Sequence, residues 1–491
     1  MRTRKRKPHI ALILTLNLAW LILSAGSDVA LSEWQPPIGI PAPSFGINEI
    51  YRMYDDPANR NPALNYAQNS EGGYYTHYVD NTHPNATDTD NPYGTASKPR
   101  LSIPVGLPEG SVVEVHNGVS ETSWRGIRVE GVGTVEKPIF VRGVNMPRTQ
   151  SPLNVGQFGN ARYVIVEGIS FFSGGILGRN DPTVFTTSYI AVRNCDFYGD
   201  EDLGGFMITS WSSNPVKYIV FYNNKVHDNG IWDPDIAVGD RDIGGVSVGG
   251  SYIWILDNEM YHNEMDGMQI GPGSSHHIYI GRNTAHHNKQ SGFWTKTAED
   301  IIFSENTAYG HRFSSSSPGA QMGSQYEPKR IWFLFNHIYD GDMGFLHGDL
   351  RTGEREEFYY IGNIIHDIDG TAALRTWDHK DMYFVGNTIY NVDKGMSISP
   401  STSSTETIVN NIFGTLSNPG GAHIDFRNIP YNPVIISNNL FQEPMNLTGG
   451  VGCFDCIEAD PQFVDAVNND FRLQPTSPAI GAGTSSGIVQ Q

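Results

Sequence analysis

Between Val164 and Leu440 the chain repeats one short phrase: apolar residues at alternate positions, a fixed slot, then another apolar residue two places on. Nine times the slot is asparagine, at Asn224, Asn258, Asn283, Asn306, Asn336, Asn363, Asn387, Asn411 and Asn439. Successive asparagines stand 34, 25, 23, 30, 27, 24, 24 and 28 residues apart. That period is too short for a domain and suits one coil of a solenoid.

The phrase is plain in Ile278-Tyr-Ile-Gly-Arg-Asn283-Thr-Ala285 and in Ile301-Ile-Phe303-Ser-Glu-Asn306-Thr-Ala308. Alternation of this kind gives a strand with one buried face, and the asparagine marks where the chain bends out of it. Coils stack roughly 4.8 Å apart, so an amide repeated in one bend can bond its copies above and below, satisfying groups that burial would leave unpaired. Ile169 and Cys195 fill the slot in earlier copies, which predicts a ladder beginning at Asn224. A second strand is expected after each bend, opened by a glycine as in Gly245-Val-Ser-Val248, Gly267-Met-Gln-Ile270 and Gly292-Phe-Trp-Thr-Lys296; the glycine is read as supplying a positive φ. Coils this short do not hold a four-stranded propeller blade, and no leucine consensus with a helical half occurs. The fold expected is an all-β, right-handed parallel β-helix with capped ends.

The 39% hydrophobic content of 491 residues is enough for a long core, and 53 glycines with 29 prolines suit a turn every few residues. Arg2, Arg4, Lys5, Arg6 and Lys7 precede the apolar run Ile10 to Leu23 and the small residues Ser24-Ala-Gly26, a secretory leader pattern. Its removal takes the formal charge from −19 to −24, a poor surface for nucleic acid, and leaves no segment for stable membrane insertion. The expected location is secreted, periplasmic or extracellular. Three cysteines exclude a disulfide framework; Cys453 and Cys456 can pair or remain thiols, and two sulfurs make a weak zinc signal. The chain divides into a signal peptide at 1–26, a leading and capping segment at 27–100, the β-helix at 101–445 and a closing segment at 446–491. Both end segments are read as covers for exposed sheet edges.

The Asn91-Pro-Tyr-Gly-Thr95 phrase, the repeated coils and the closing Asp460-Pro-Gln-Phe-Val464 and Ser477-Pro-Ala-Ile-Gly-Ala-Gly483 phrases resemble secreted right-handed β-helix proteins of the pectate-lyase-like superfamily. The likeness covers nearly all of the chain beyond the leader. It is specific for fold and weak for reaction, since that superfamily holds lyases, hydrolases, epimerases, esterases and binders. Asn263-Glu-Met-Asp266-Gly-Met-Gln-Ile270, followed by Ser291-Gly-Phe-Trp-Thr-Lys296, is similar to consecutive coils of the family-nine pectate lyases. That resemblance implies Lys296 as Brønsted base and sets Asp266 one residue from an acidic calcium position. Ser291 departs from the pattern, standing where the family has an acidic metal ligand.

The alternation itself supports Lys296. With Phe293 and Thr295 inward, Trp294 and Lys296 fall together on the outer face, a sugar platform beside a cationic group. If Leu346 and Leu374 point inward, His347 and Arg375 point outward two and three coils away, whereas Phe345 and Ala373 offer the opposite register; outward is favoured here, because burying an unpaired guanidinium is costly. Lys296, Arg375 and His347 are the catalytic candidates. Gln269, Trp294, Trp232, Trp377, Asp349 and Arg351 are the substrate-binding candidates. Asp240, Asp242 and Asp266 are candidate oxygen ligands for a hard cation such as calcium, or two of them form an acid and base pair for glycoside hydrolysis. Histidines 276, 277, 286 and 287 share no metal spacing and are read as structural. The function expected is a polysaccharide lyase acting on an acidic polysaccharide by β-elimination. A glycoside hydrolase and a non-catalytic glycan-binding or adhesion protein are the alternatives.

Overall fold

The structure is a computed structural model that describes residues 34–485, apart from 52–60, 62, 70–71, 121–125, 179–185, 209–215, 234, 237–240, 242, 272, 315–316, 318, 349–356 and 378. The signal-peptide expectation at 1–26 and the candidates Asp240, Asp242, Asp349 and Arg351 therefore lie outside the described residues.

From Pro36 onward the chain winds into a solenoid walled by three long sheets of 15, 13 and 12 strands, within which strands pair in parallel. One coil shows the plan: Ser275–Gly281 lies in the first sheet, Thr284–His286 in the second and Phe293–Thr295 in the third. A coil thus holds three strands, and a short one intervenes between the asparagine and the glycine-led strand that was expected to follow it directly. Inward residues stack like on like: Ile253, Ile278, Ile301 and Ile331 are register partners, and all are fully buried. Phe303, Phe333 and Tyr360 continue the interior as rings 5.0 and 5.2 Å apart. Each such side chain contributes about 1.5–3 kcal/mol by leaving water.

The asparagine column runs unbroken from Asn224 to Asn439. At Asn283, Oδ1 accepts the backbone N–H and the Nδ2 of Asn258, both at 2.9 Å, while Nδ2 donates to Ile255 O at 2.8 Å and Asn306 Oδ1 at 3.0 Å. At the lower end the Cys195 N–H donates to Asn224 Oδ1. At the upper end Cys453 and Cys456 form a disulfide, and Asn439 donates its N–H to Cys456 Sγ at 3.4 Å. A second, shorter column is also present: Asn229 bonds Asn263, Asn263 bonds Asn288, and Asn288 Nδ2 donates to His311 Nε2.

The positive φ of each bend is carried by the residue before the asparagine, for example Asp257 (56°), Arg282 (51°), Glu305 (57°) and Phe335 (53°). This corrects the reading of the glycines. Gly245 and Gly344 are not in the left-handed region; a Cβ on either would stand 2.3 Å from the carbonyl oxygen of Gly267 or Ala373 in the next coil. They are glycines because the following coil passes so close.

Of the leading segment, His77–Val79 pairs with Val112–Val115 and opens the first sheet. Residues 36–49 run as a strap across its outer face: Ser304 Oγ bonds Ile38 O, Trp254 Nε1 donates to Pro41 O, and the Arg193 guanidinium holds the carbonyls of Gly46, Ile47 and Glu49. The closing segment adds Ile457–Glu458 to the second sheet and then folds back as an antiparallel hairpin whose Phe471 packs on His366 and Tyr390. No helix of the described residues is long and apolar enough to cross a membrane.

Candidate functional site

The third sheet carries the candidate site on its outer face. Its outward row reads Ile176, Met207, Ser247, Gln269, Trp294, Gly323, Leu346, Arg375, Ser397 and Asp425, each the register partner of the next. Over the Met207 to Trp294 coils lies a groove of about 670 Å³, whose polar lining includes Asp202, Arg241, Ser247, Asp266, Gln269 and Lys296. A smaller hollow of about 200 Å³ shares Leu203 and Met207 with it and extends it toward the early coils.

Lys296 follows Phe293–Thr295, whose Phe293 and Thr295 are buried inside, and its half-buried side chain borders the groove. Its Nζ lies 5.9 Å from the ring centroid of Tyr326 and has no carboxylate partner among the described residues. The other cations nearby are engaged: Arg241 bonds Glu264 through Nε and Nη2, and Lys289 Nζ donates to the Ile231 and Ile236 carbonyls. Asp266 is 3% exposed and accepts Gln269 Nε2 at 2.9 Å. Asp266, Gln269 and Lys296 are thus brought together from adjacent coils.

Several candidates stand elsewhere. Trp294 does leave the outer face, but it is no open platform: its ring covers Gly323 and packs with Ala320, Met343 and Leu346, leaving it 9% exposed. His347 points into the solenoid, contrary to the outward expectation. Phe345 and His347 are the inward residues of Met343–Gly348, the ring lies 4.1 Å from Phe358, and Ser324 Oγ bonds Nδ1. An imidazole with an internal hydroxyl partner is tolerated there, while Leu346 finds apolar cover outside against Trp294 and Trp377. Leu374 is inward and Arg375 outward, stacked over Trp377 beyond the groove. Trp232 does not reach the groove; it stacks at 3.9 Å on His262 of the second sheet.

Of the three candidate calcium ligands, only Asp266 is among the described residues. Its Oδ2 holds an amide, Ser291 supplies no charge, and no group of three acidic, histidine or cysteine side chains suited to a metal occurs among the described residues. Nor are the outer aromatics of the second sheet a sugar platform. Tyr198, His227, Tyr261, His286, Tyr309, Tyr339 and His366 stack face to face at 4.7–5.6 Å, so each ring face is occupied by a neighbour and only edges face outward.

Sequence reading missed Asp202, Arg241 and Ser247 of the groove. Ser247 was recoverable by carrying the alternation of Gln269 and Trp294 back one coil. The other two sit in turns, where no periodicity marks them.

Residues 159–327 match the family model described as a right handed beta helix region. The chain is a right-handed parallel β-helix. A search of curated proteins finds no match to it. Among solved structures, this β-helix is 12% identical to the GH136 lacto-N-biosidase from Eubacterium ramulus, over 78% of this chain and 68% of that one, with a TM-score of 0.41. The surface adhesin PfbA of Streptococcus pneumoniae is 12% identical over 64% of this chain and 84% of its own, with a TM-score of 0.48. Pectate lyase Pel9A is 14% identical over 84% and 92%, with a TM-score of 0.41. The likeness concerns the solenoid fold alone.

Proposed function

We propose that this β-helix is an exported carbohydrate-active protein that binds an acidic polysaccharide along the outer face of its third sheet and cleaves it by β-elimination, with Lys296 as the base. The observation that carries this reading is an ammonium group bordering a 670 Å³ groove with no carboxylate partner among the described residues. In the elimination, Lys296 takes the C5 proton of a uronate, a C4–C5 double bond forms, and the C4–O bond breaks with the leaving oxygen taking up a proton. Arg241 also lines the groove, with its guanidinium bonded to Glu264. Asp266 fixes the amide of Gln269, so that its carbonyl oxygen is a placed acceptor for a sugar hydroxyl.

Incubation with acidic polysaccharides tests this. Elimination produces ultraviolet absorbance from the new double bond, and Lys296→Ala is expected to lower turnover at least a hundred-fold while retaining binding. Unchanged turnover in Lys296→Ala would remove the assignment. Hydrolysis is the second reading, because Asp202 and Asp266 line the same groove; it predicts new reducing ends without absorbance. Binding with no product of either kind would identify a glycan-binding protein.

A further inference from the structure

Past Trp294 and Leu346 the outer face of the third sheet changes from apolar to cationic. Arg375, Ser397 and Asp425 follow one another in register, Trp377 lies beside Ser399, and the exposed Arg427 follows Phe426 in the next coil. The Arg375 guanidinium carbon stands 4.3 Å from the Trp377 ring centroid, and its Nε is buried without an acceptor among the described residues. The acidic side chain of the row, Asp425, is already engaged by Lys394 Nζ at 2.8 Å and Thr448 Oγ1 at 2.6 Å. Elsewhere Arg193, Arg282 and Arg330 each hold a carboxylate. In a chain with a formal charge of −19, Arg375 and Arg427 form no ion pair with a carboxylate among the described residues, and the orphaned Nε makes Arg375 expensive to leave unfilled. Register sets Arg427 two coils beyond Arg375 on the same outer face, next to the residue that pairs with Ile398, and burial and then the like charge of Arg427 hold the Arg375 pKa below the ordinary guanidinium value.

We propose that Arg375 and Arg427, flanked by Trp377 and floored by Ser397 and Ser399, form an anion subsite that grips a carboxylate or sulfate group of a saccharide chain whose reacting unit lies at Lys296. This rests on the polysaccharide reading of the groove. Three coil steps separate the strands of Lys296 and Arg375, roughly 14 Å at about 4.8 Å per coil, so the subsite holds a neighbouring sugar of the same extended chain and not the unit being cleaved. The planar guanidinium of Arg375, fixed by its stacking on Trp377, is suited to two parallel bonds to one oxyanion.

Titration calorimetry of the full chain with uronate, sulfated and neutral oligosaccharides of matched length tests the subsite. Arg375→Gln/Arg427→Gln is expected to weaken binding of the anionic class roughly ten- to hundred-fold and to leave the neutral class unchanged. Arg375→Lys should fall between, because it keeps the charge and loses the fork. Arg427→Gln alone alters an exposed side chain and guards against misfolding of the double variant. Whichever of the uronate and sulfated arms binds identifies the group recognised. Affinity of the double variant within two-fold of the parent, equal binding of neutral chains, or binding of neither anionic class would overturn the proposal. Because calorimetry needs no turnover, its failure is separable from that of Lys296→Ala: lost affinity in the arginine variants with unchanged turnover in Lys296→Ala retracts the elimination and keeps the subsite, and the converse retracts the subsite alone.

Discussion

Replacing Asn283 with alanine tests the column that holds the coils in register. The change removes two donations, to Ile255 O and Asn306 Oδ1, and two acceptances, from the backbone N–H and Nδ2 of Asn258. Asn258 Nδ2 keeps a partner in Phe221 O, and Asn306 Oδ1 keeps the Asn283 N–H. The Asn258 N–H, whose acceptor was Asn283 Oδ1, is left bare in a residue 2% exposed, a penalty of about 1–3 kcal/mol. The three other bonds contribute about 1 kcal/mol each, so Asn283→Ala should cost about 4–6 kcal/mol. Asn258→Ala removes one of the same bonds, and the double variant is therefore expected to cost about 1 kcal/mol less than the sum of the singles. Urea denaturation followed by tryptophan fluorescence gives the cost, and hydrogen exchange should show the Asn258 amide losing protection. A loss below 1 kcal/mol, or additivity of the pair, would refute the claim that the amides are mutually dependent.

Gly245→Ala should destabilise by about 1–3 kcal/mol, because the new methyl meets the Gly267 carbonyl at 2.3 Å; a thermal melt unchanged from the parent's would reject the close-approach explanation. Acid should weaken the fold from pH 6.5 downward. Burial, opposed only partly by the Gln321 hydrogen bond, lowers the His311 pKa to about 3, and burial followed by the charge of Arg100 lowers His77 to about 4. Both are neutral when folded and protonated when unfolded below about 6.5, so the unfolded chain binds more protons and stability, complete above that pH, falls by about 1.4 kcal/mol per pH unit for each. Urea midpoints measured from pH 7 to 5 check the slope, and a flat profile would contradict the neutral assignment.

The first asparagine column was legible because a buried amide needs a partner at a fixed height, and nine rungs at one slot leave little else to satisfy it. The second was not, although each member stands five residues after a rung of the first: it has only three asparagines and ends on His311, whose Nε2 accepts from Asn288 while Nδ1 faces Gln321 Oε1. His347 was misplaced because both registers of Gly344-Phe-Leu-His347 put an apolar residue inside, and only the outer cluster of Trp294, Met343 and Trp377 makes an outward Leu346 acceptable. Alternation within one strand set Lys296 on the outer face. It could not assemble the groove, whose Asp202 and Arg241 come from turns more than fifty residues away along the chain. Glycine was noticed for the right positions and the wrong reason, since the strain it was thought to relieve belongs to Arg282 and its equivalents, while the crowding it relieves comes from another coil.

A file of amides has no natural length: whichever member comes last still presents a donor to whatever strand drifts alongside, and that is how such stacks recruit further copies. Here the final member, Asn439, points its N–H at the sulfur of Cys456, with Cys453 beside it. Sulfur accepts weakly and cannot pass the pattern on, so the bridged pair acts as a full stop, quenching self-propagation without requiring a bulky plug.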